Sequence, residues 1–401
     1  MSRELPKYSQ MIFTFLWACI ILEGCTEPFS PDIPFSDSLL VVDATITNEL
    51  KTHEIFLSRS SQGNEESQVE SNATVRIVDD SQRQFPFTET EPGTYVSDVM
   101  FEAEPDRSYR LLISTASGRE YASSPTVLPP QTAEITDVYA DRTTTDSGLD
   151  GMGIFVNSFD PTGNSIYYKY EYEETYKIIA PKWSPSQLVA GSEESQSVLV
   201  VGRDPDNEER TCFATEKSNT LVITNTSGVG EDRVTDFNVR FINRDNFIIS
   251  HRYSLLVKQF VLSREVFEFY EKLQDFSGVE SLFSDSQPGF IVGNISPQDN
   301  GEDEVVGIFE VSSVSEKRVF FNYSDFFPDE DLPPFVNECG QVTFPSGFTP
   351  TLYDLVKSNR VSYTNEVRNE LGALEAYIVV PRICGDCTLL GSNVIPDFWK
   401  E

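Results

Sequence analysis

Histidine is almost missing from this chain: 2 in 401 residues, His53 and His251. Serine hydrolysis needs an imidazole held by a carboxylate beside an activated serine, and neither histidine adjoins a Gly-x-Ser-x-Gly elbow. No catalytic residue is therefore assigned. Basic residues are also scarce, 30 Lys+Arg against 64 Asp+Glu for a formal net charge of -34. Phosphate backbones demand clustered cations, so nucleic acid is excluded as a partner. No early apolar run reaches the roughly 20 residues of a spanning helix. The sequence has no internal repeat with a period of about 20 to 50 residues, which excludes solenoids and propellers.

What is present is core-forming material. Hydrophobic residues make up 39% and aromatics 12%, with 29 Phe and 16 Tyr, too much for a disordered acidic tail. A chain of 401 residues exceeds the roughly 250–300 residues at which a single core stops growing, so more than one domain is expected.

Arg3 and Lys7 precede an apolar stretch over residues 11–22, followed by Glu23-Gly24-Cys25 and the polar Thr26-Glu27-Pro28. A charged start, a short apolar run and a small residue before cysteine read as an export signal over 1–24. Cleavage before Cys25 is the bacterial lipoprotein pattern, with diacylglycerol on the thiol, although Glu23 stands where a small or apolar residue is usual. The second candidate, Leu16-Trp17-Ala18-Cys19, would leave Ile20-Ile21-Leu22 at the mature terminus. Residues 25–37, rich in Pro, Ser and Asp, read as a lipid-anchored tether.

From residue 39 short strands are expected over 39–46, 54–57, 74–78, 93–99, 109–114 and 121–127, punctuated by turns such as Glu91-Pro92-Gly93. Their spacing gives an immunoglobulin-like or transthyretin-like β-sandwich over 38–130, closed by Pro129-Pro130. Residues 131–401 read as a larger β-rich domain with few helices. Its strands are expected at 153–156, 166–173, 221–224, 253–262, 305–311 and 318–321, with a long loop over 326–350. One helix is expected over 264–275: Ser263 caps it, Glu265 suits its positive end, and Val266, Tyr270 and Leu273 fall at i, i+4 and i+7.

Cys212, Cys339, Cys384 and Cys387 remain beyond the leader. In an exported protein an even count implies two disulfides, and four cysteines leave three pairings open. A four-thiolate zinc site would need a second close pair to match Cys384 and Cys387, and a redox role would need a helix to lower the thiol pKa. No metal site is assigned on these grounds. The acidic loops 204–209 and 299–304 carry oxygen ligands suited to Ca²⁺ but lack EF-hand spacing. For ligand binding the candidates are aromatic: Tyr168, Tyr170, Tyr172 and Trp183, which lie close in sequence, and the terminal Phe398 and Trp399. Such rings stack on sugars or anchor interfaces, and they equally serve as core.

The tail from Cys384-Gly385-Asp386-Cys387 to Ile395-Pro396-Asp397-Phe398-Trp399 resembles the terminal signature of the Bacteroidota outer-membrane lipoproteins classed as domain of unknown function 4249. Leu40-Val41-Val42-Asp43, Gly93-Thr94-Tyr95, Asp160-Pro161, the run over 252–270, Gln287-Pro288-Gly289-Phe290, Gly293-Asn294-Ile295 and Val306-Gly307-Ile308-Phe309 agree in order. Ala44 and Ser392 stand where that family more often has glycine. The resemblance implies a two-part, mostly β lipoprotein anchored through Cys25 at the outer membrane and exposed at the cell surface. It also implies an accessory or substrate-capture role beside a TonB-dependent transporter with no established enzyme activity, and no cofactor is assigned beyond the lipid on Cys25. An envelope hydrolase using paired carboxylates and a purely structural envelope protein are the alternatives.

Overall fold

Alternation decides the first strands. In Leu40–Thr47, residues Leu40, Val42, Ala44 and Ile46 are buried while Asp43 faces the other way, the period of two that separates the faces of a strand. Val75 and Ile77 repeat the pattern in Thr74–Asp79, as do Tyr109, Leu111 and Ile113 in Ser108–Ser114. With Ile55, Leu57, Tyr95 and Tyr121 they form one apolar cluster. Their strands all belong to one sheet, which must curl to bring its inner faces together, giving a sandwich-like layout. The protein is mainly β, as the sequence implies.

The computed structural model describes residues 39–60, 68–129, 133–205, 209–278, 291, 293–298, 305–347 and 349–401. The leader, Cys25, the tether, the Gln287-Pro288-Gly289-Phe290 segment and the acidic stretches 206–208 and 299–304 lie outside the described residues.

The longest strand, Val305–Asn322, changes partner midway. Its first part pairs in parallel with Leu40–Thr47, from Leu40 opposite Val305 to Thr47 opposite Ser312. Its second part pairs antiparallel with Arg252–Leu262. Two strands, 305–311 and 318–321, were expected from the polar residues between them. These residues stay in the ladder: Ser313 opposes Val261, and Glu316 opposes Lys258, a cross-strand pair of opposite charge. The early part of the strand supplies Val305, Phe309 and Val311 to the N-terminal core, which Ile295 also joins. Residues far along the chain thus complete the first sheet's interior.

Beyond Arg252–Leu262 the sheet continues into Tyr167–Ile179, then Thr211–Lys217 and Val222–Asn225. A three-stranded sheet of Glu134–Thr144, Asp150–Phe159 and Arg233–Asn243 shares a core with it: Met152, Ile154 and Val156 meet Tyr168, Tyr170, Tyr253 and Leu255. A smaller cluster around Leu352, Tyr353 and Val379 joins the helix Pro350–Lys357 to the strands Val361–Arg368 and Leu374–Pro381. Within the expected 326–350 loop, Val342–Pro345 pairs with Leu374–Pro381. So short a segment acquires strand geometry only from that later partner.

The helix runs from Arg264 to Gly278, and the Ser263 hydroxyl accepts the Val266 amide at 3.3 Å. Val266, Phe267 and Phe269 pack on Phe260, Leu262 and Ile308. Among the described residues no helix is long and apolar enough to cross a membrane. Two disulfides, Cys212–Cys387 and Cys339–Cys384, resolve the three pairings. Cys384 and Cys387 belong to different bonds, which rules out a shared zinc or a dithiol pair in this state. Ser392 bridges Phe213 through both backbone groups, and Trp399 packs edge-on against Phe213 at 4.9 Å, so the terminal segment lies along the 211–217 strand.

Candidate functional site

Strand alternation also builds a polar floor. In Tyr167–Ile179, Tyr168, Tyr170 and Tyr172 enter the core between the sheets, so Lys169 and Glu171 must project from the opposite face. In Val305–Asn322, Phe309 and Val311 face the N-terminal core, which leaves Ile308, Glu310 and Ser312 toward the 264–278 helix. The result is a cavity of about 360 Å³ between these two strands, Leu40–Thr47, that helix and residues 218–221.

Lys169, 5% exposed, donates to Glu310, 0% exposed, at 2.8 Å. The second oxygen of Glu310 accepts from the Ser312 hydroxyl at 2.5 Å, and Tyr270 from the helix donates to the first at 2.8 Å. Glu171 lies 3.2 Å from the same ammonium at the cavity's open side. The Phe260 and Tyr270 rings sit 4.6 and 5.0 Å from Lys169, adding cation–π attraction. Burial opposes the charge on Lys169, but Glu310, Tyr270 and Glu171 outweigh it and hold its pKa well above the ordinary value. Burial and the Glu310 carboxylate likewise push the Tyr270 phenol well up, keeping it a donor.

Asp43 is exposed and lines the cavity at its rim. No described residue hydrogen-bonds or ion-pairs with its carboxylate at contact distance. The surrounding walls desolvate it and raise its pKa, with Lys169 opposing and Glu310 and Glu171 reinforcing the rise.

The strand crossing that shapes this cavity depends on glycine. Gly307 has φ +147, and a Cβ there would lie 2.1 Å from the Val42 carbonyl oxygen. A Cβ on Gly293 would come within 1.6 Å of the Gly307 oxygen. Beside them the Asn294 side chain accepts from the Phe309 amide at 2.8 Å and donates to its carbonyl at 2.9 Å. Asp43, Tyr270, Gly293 and Gly307 come from four segments of the family resemblance, and the fold gathers them around one site.

The aromatic residues singled out by sequence mostly serve packing. Tyr168 and Tyr170 are fully buried, donating to Asp232 at 2.7 Å and to Gln259 at 3.0 Å; their faces are given to the core. Tyr172 is buried beneath Arg240, and Trp183 is half-buried beside Arg210. Phe398 lies under the Arg318 guanidinium at 3.6 Å, and Trp399 also contacts Phe320 at 5.9 Å. Of this group, Tyr170 alone borders the cavity.

His53 is buried, hydrogen-bonded through Nε2 to the Phe101 oxygen at 2.9 Å. His251 borders a second cavity of about 370 Å³, where Lys177 and Glu401 already pair at 2.9 Å. Among the described residues no group of three or more His, Cys, Asp and Glu could hold a metal ion.

Sequence reasoning missed Lys169, Glu310 and Asp43 as site residues. The alternation around Tyr168 placed Lys169 and Glu171 on one face, a usable signal, but nothing local pairs Lys169 with a residue 141 positions away.

A family model described as a domain of unknown function (DUF4249) matches residues 26–318. The cavity's charged residues fall inside that stretch, while Cys339, Cys384 and Cys387 lie beyond it. A crystal structure of a DUF4785 family protein from Legionella pneumophila is 7% identical with a TM-score of 0.17; the match covers 55% of this chain and 51% of that one. The chain thus spans about half the length of that protein, and the likeness carries no argument. No curated protein matches the chain.

Proposed function

From the premise that the chain belongs to the family described as a domain of unknown function (DUF4249), we propose a non-catalytic role in capturing a small ligand at the cell envelope. In this reading the protein is an outer-membrane lipoprotein, anchored through Cys25 and exposed at the cell surface, that serves a TonB-dependent transporter. The observation that carries the capture role is the cavity: preformed between packed strands, apolar in its walls and charged at its floor, the usual make-up of a small-molecule site. Its volume lies within the roughly 300–1,000 Å³ of such sites. Around it Ser218 has its hydroxyl oxygen occupied by the Tyr172 amide at 3.0 Å, and neither histidine borders it, so nucleophilic catalysis finds no support. The leader and the acidic surface charge support an envelope address.

The test is a mild-detergent pull-down of the tagged full chain from outer membranes, with mass spectrometry of the partners. Recovery of one TonB-dependent transporter at near-equal amount is expected. Recovery of the chain alone, under conditions that preserve other envelope complexes, rejects a stable accessory subunit.

One observation favours a second reading. The raised pKa of Asp43 beside Glu171 suits an acid–base carboxylate pair in an envelope hydrolase. Turnover of aryl glycosides that is lost in Asp43→Asn would select it.

A further inference from the structure

We infer that the cavity takes a ligand carrying a protonated amine on an apolar body, with the ammonium bound by Asp43 at the rim. The inference rests on the capture reading above and adds the chemical class.

Three carboxylates, Asp43, Glu171 and Glu310, face the cavity cluster against one cation, Lys169. Glu310 is satisfied by Lys169, Tyr270 and Ser312, and Glu171 shares the same ammonium. Among the described residues Asp43 has no such contact, and its ionised form is disfavoured chiefly by burial, with Lys169 opposing and both other carboxylates reinforcing. A carboxylate in that position destabilises the empty protein and gains most when a cation arrives. An anionic ligand would meet the opposite field: Lys169 is the only basic residue lining the cavity among the described residues, and it is committed to Glu310 and Glu171. The remaining walls, chiefly Val41, Leu221, Phe269, Leu273 and Val306, are apolar and suit a hydrocarbon body. Leu273 is 37% exposed, so the hydrophobic side is open to an incoming group.

The pH dependence follows from the groups facing Asp43: Lys169 and Glu171 from one strand, Glu310 from another, and Tyr270 from the helix. Lys169 stays protonated and Tyr270 neutral at physiological pH. Asp43, its pKa raised by burial, loses its charge as pH falls through the acid range. Affinity for the amine rises as pH increases through its elevated pKa.

The experiment uses three probes with one body and different charge: 4-phenylbutylamine, 4-phenylbutanol and 4-phenylbutyrate. Each is titrated calorimetrically into the mature chain and into Asp43→Asn at pH 7.5. The amine is expected to bind at least tenfold more tightly than the alcohol, with the acid weakest. Asp43→Asn should bring the amine down to the alcohol. Thermal melts of the free proteins check folding, and the variant should melt higher than the native chain at pH 7.5. A raised carboxylate pKa costs stability above the unfolded value and progressively less as pH falls.

Equal or tighter binding of the alcohol or acid overturns the amine assignment and leaves ligand capture standing. Unchanged amine affinity in Asp43→Asn overturns the assignment as well. No binding of any probe removes the cavity as a site for ligands of this size, and the capture reading falls with it.

Discussion

Breaking the buried pair from one side tests the energetics of the site's floor most directly. Lys169→Met keeps much of the side chain's length and removes its charge, leaving Glu310, 0% exposed, with only the Tyr270 and Ser312 hydroxyls. Removing one partner of a buried ion pair costs about 3–5 kcal/mol, because the remaining charge stays in a poorly solvated site. The same principle makes the loss recoverable. Glu310→Gln removes the stranded charge, its one amide oxygen accepting from one of the two hydroxyls and its NH2 donating to the other, so the double variant should cost less than the sum of the singles by about 2–3 kcal/mol. Equilibrium urea unfolding at pH 7.5 with disulfides intact, followed by tryptophan fluorescence and far-UV circular dichroism, gives the four corners of the cycle. A loss below about 1 kcal/mol for Lys169→Met, or simple additivity in the double variant, would refute the reasoning: the charges would then be behaving as an exposed pair.

Burial pushes His53 down to about 4, with the Phe101 hydrogen bond opposing and Lys51 assisting. The unfolded chain therefore binds more protons between pH 6.5 and pH 4, and stability falls across that window as pH is lowered. The gap corresponds to about 3 kcal/mol in full; urea midpoints at pH 4.5 and 7.5 should converge in His53→Gln, and an unchanged slope would exclude His53 as the source. The Cys212–Cys387 bond closes a separation of 175 residues, for which loop-closure entropy gives about 5 kcal/mol as a ceiling. Cys212→Ala/Cys387→Ala should lose about 2–5 kcal/mol and become susceptible to proteolysis between residues 387 and 401, and resistance equal to the native chain would show that packing alone holds the tail. Gly307→Ala places a Cβ 2.1 Å from the Val42 oxygen in a left-handed backbone position, so a loss of at least about 2 kcal/mol is expected. A native-like unfolding midpoint would show that the parallel pairing is not tightly constrained there.

The two later strands show where local pattern ends. Val305–Asn322 read as two strands because Ser312, Ser313, Ser315, Glu316 and Lys317 interrupt its apolar run. Ser312 pairs with Thr47 and the others with Arg252–Leu262 all the same, since a neighbour's ladder satisfies the backbone whatever the side chains. Gln84–Glu91 went unrecognised because Pro86 and the polar residues after Phe87 carry little strand signal. It forms between two neighbours, Thr74–Asp79 and Thr94–Ser97. The 264–278 helix, by contrast, was legible because its cap and apolar stripe are local.

For the site the division is sharper. Sequence by itself determined the mainly β character, the faces of the early strands, the helix and the supply of cysteines, because each follows from spacing within a few residues. It also put Lys169 and Glu171 on the face opposite Tyr168 and Tyr170. Only the tertiary structure decided that Glu310 would come within 2.8 Å of Lys169, that Asp43 would line the same cavity without a hydrogen-bond or ion-pair contact among the described residues, and which cysteines would bond. The physical reason is that backbone geometry correlates side chains over one or two turns or a single strand. Contacts between residues 43, 169, 270 and 310 depend instead on which strands meet and in what register, and that is settled by burying all the apolar faces at once.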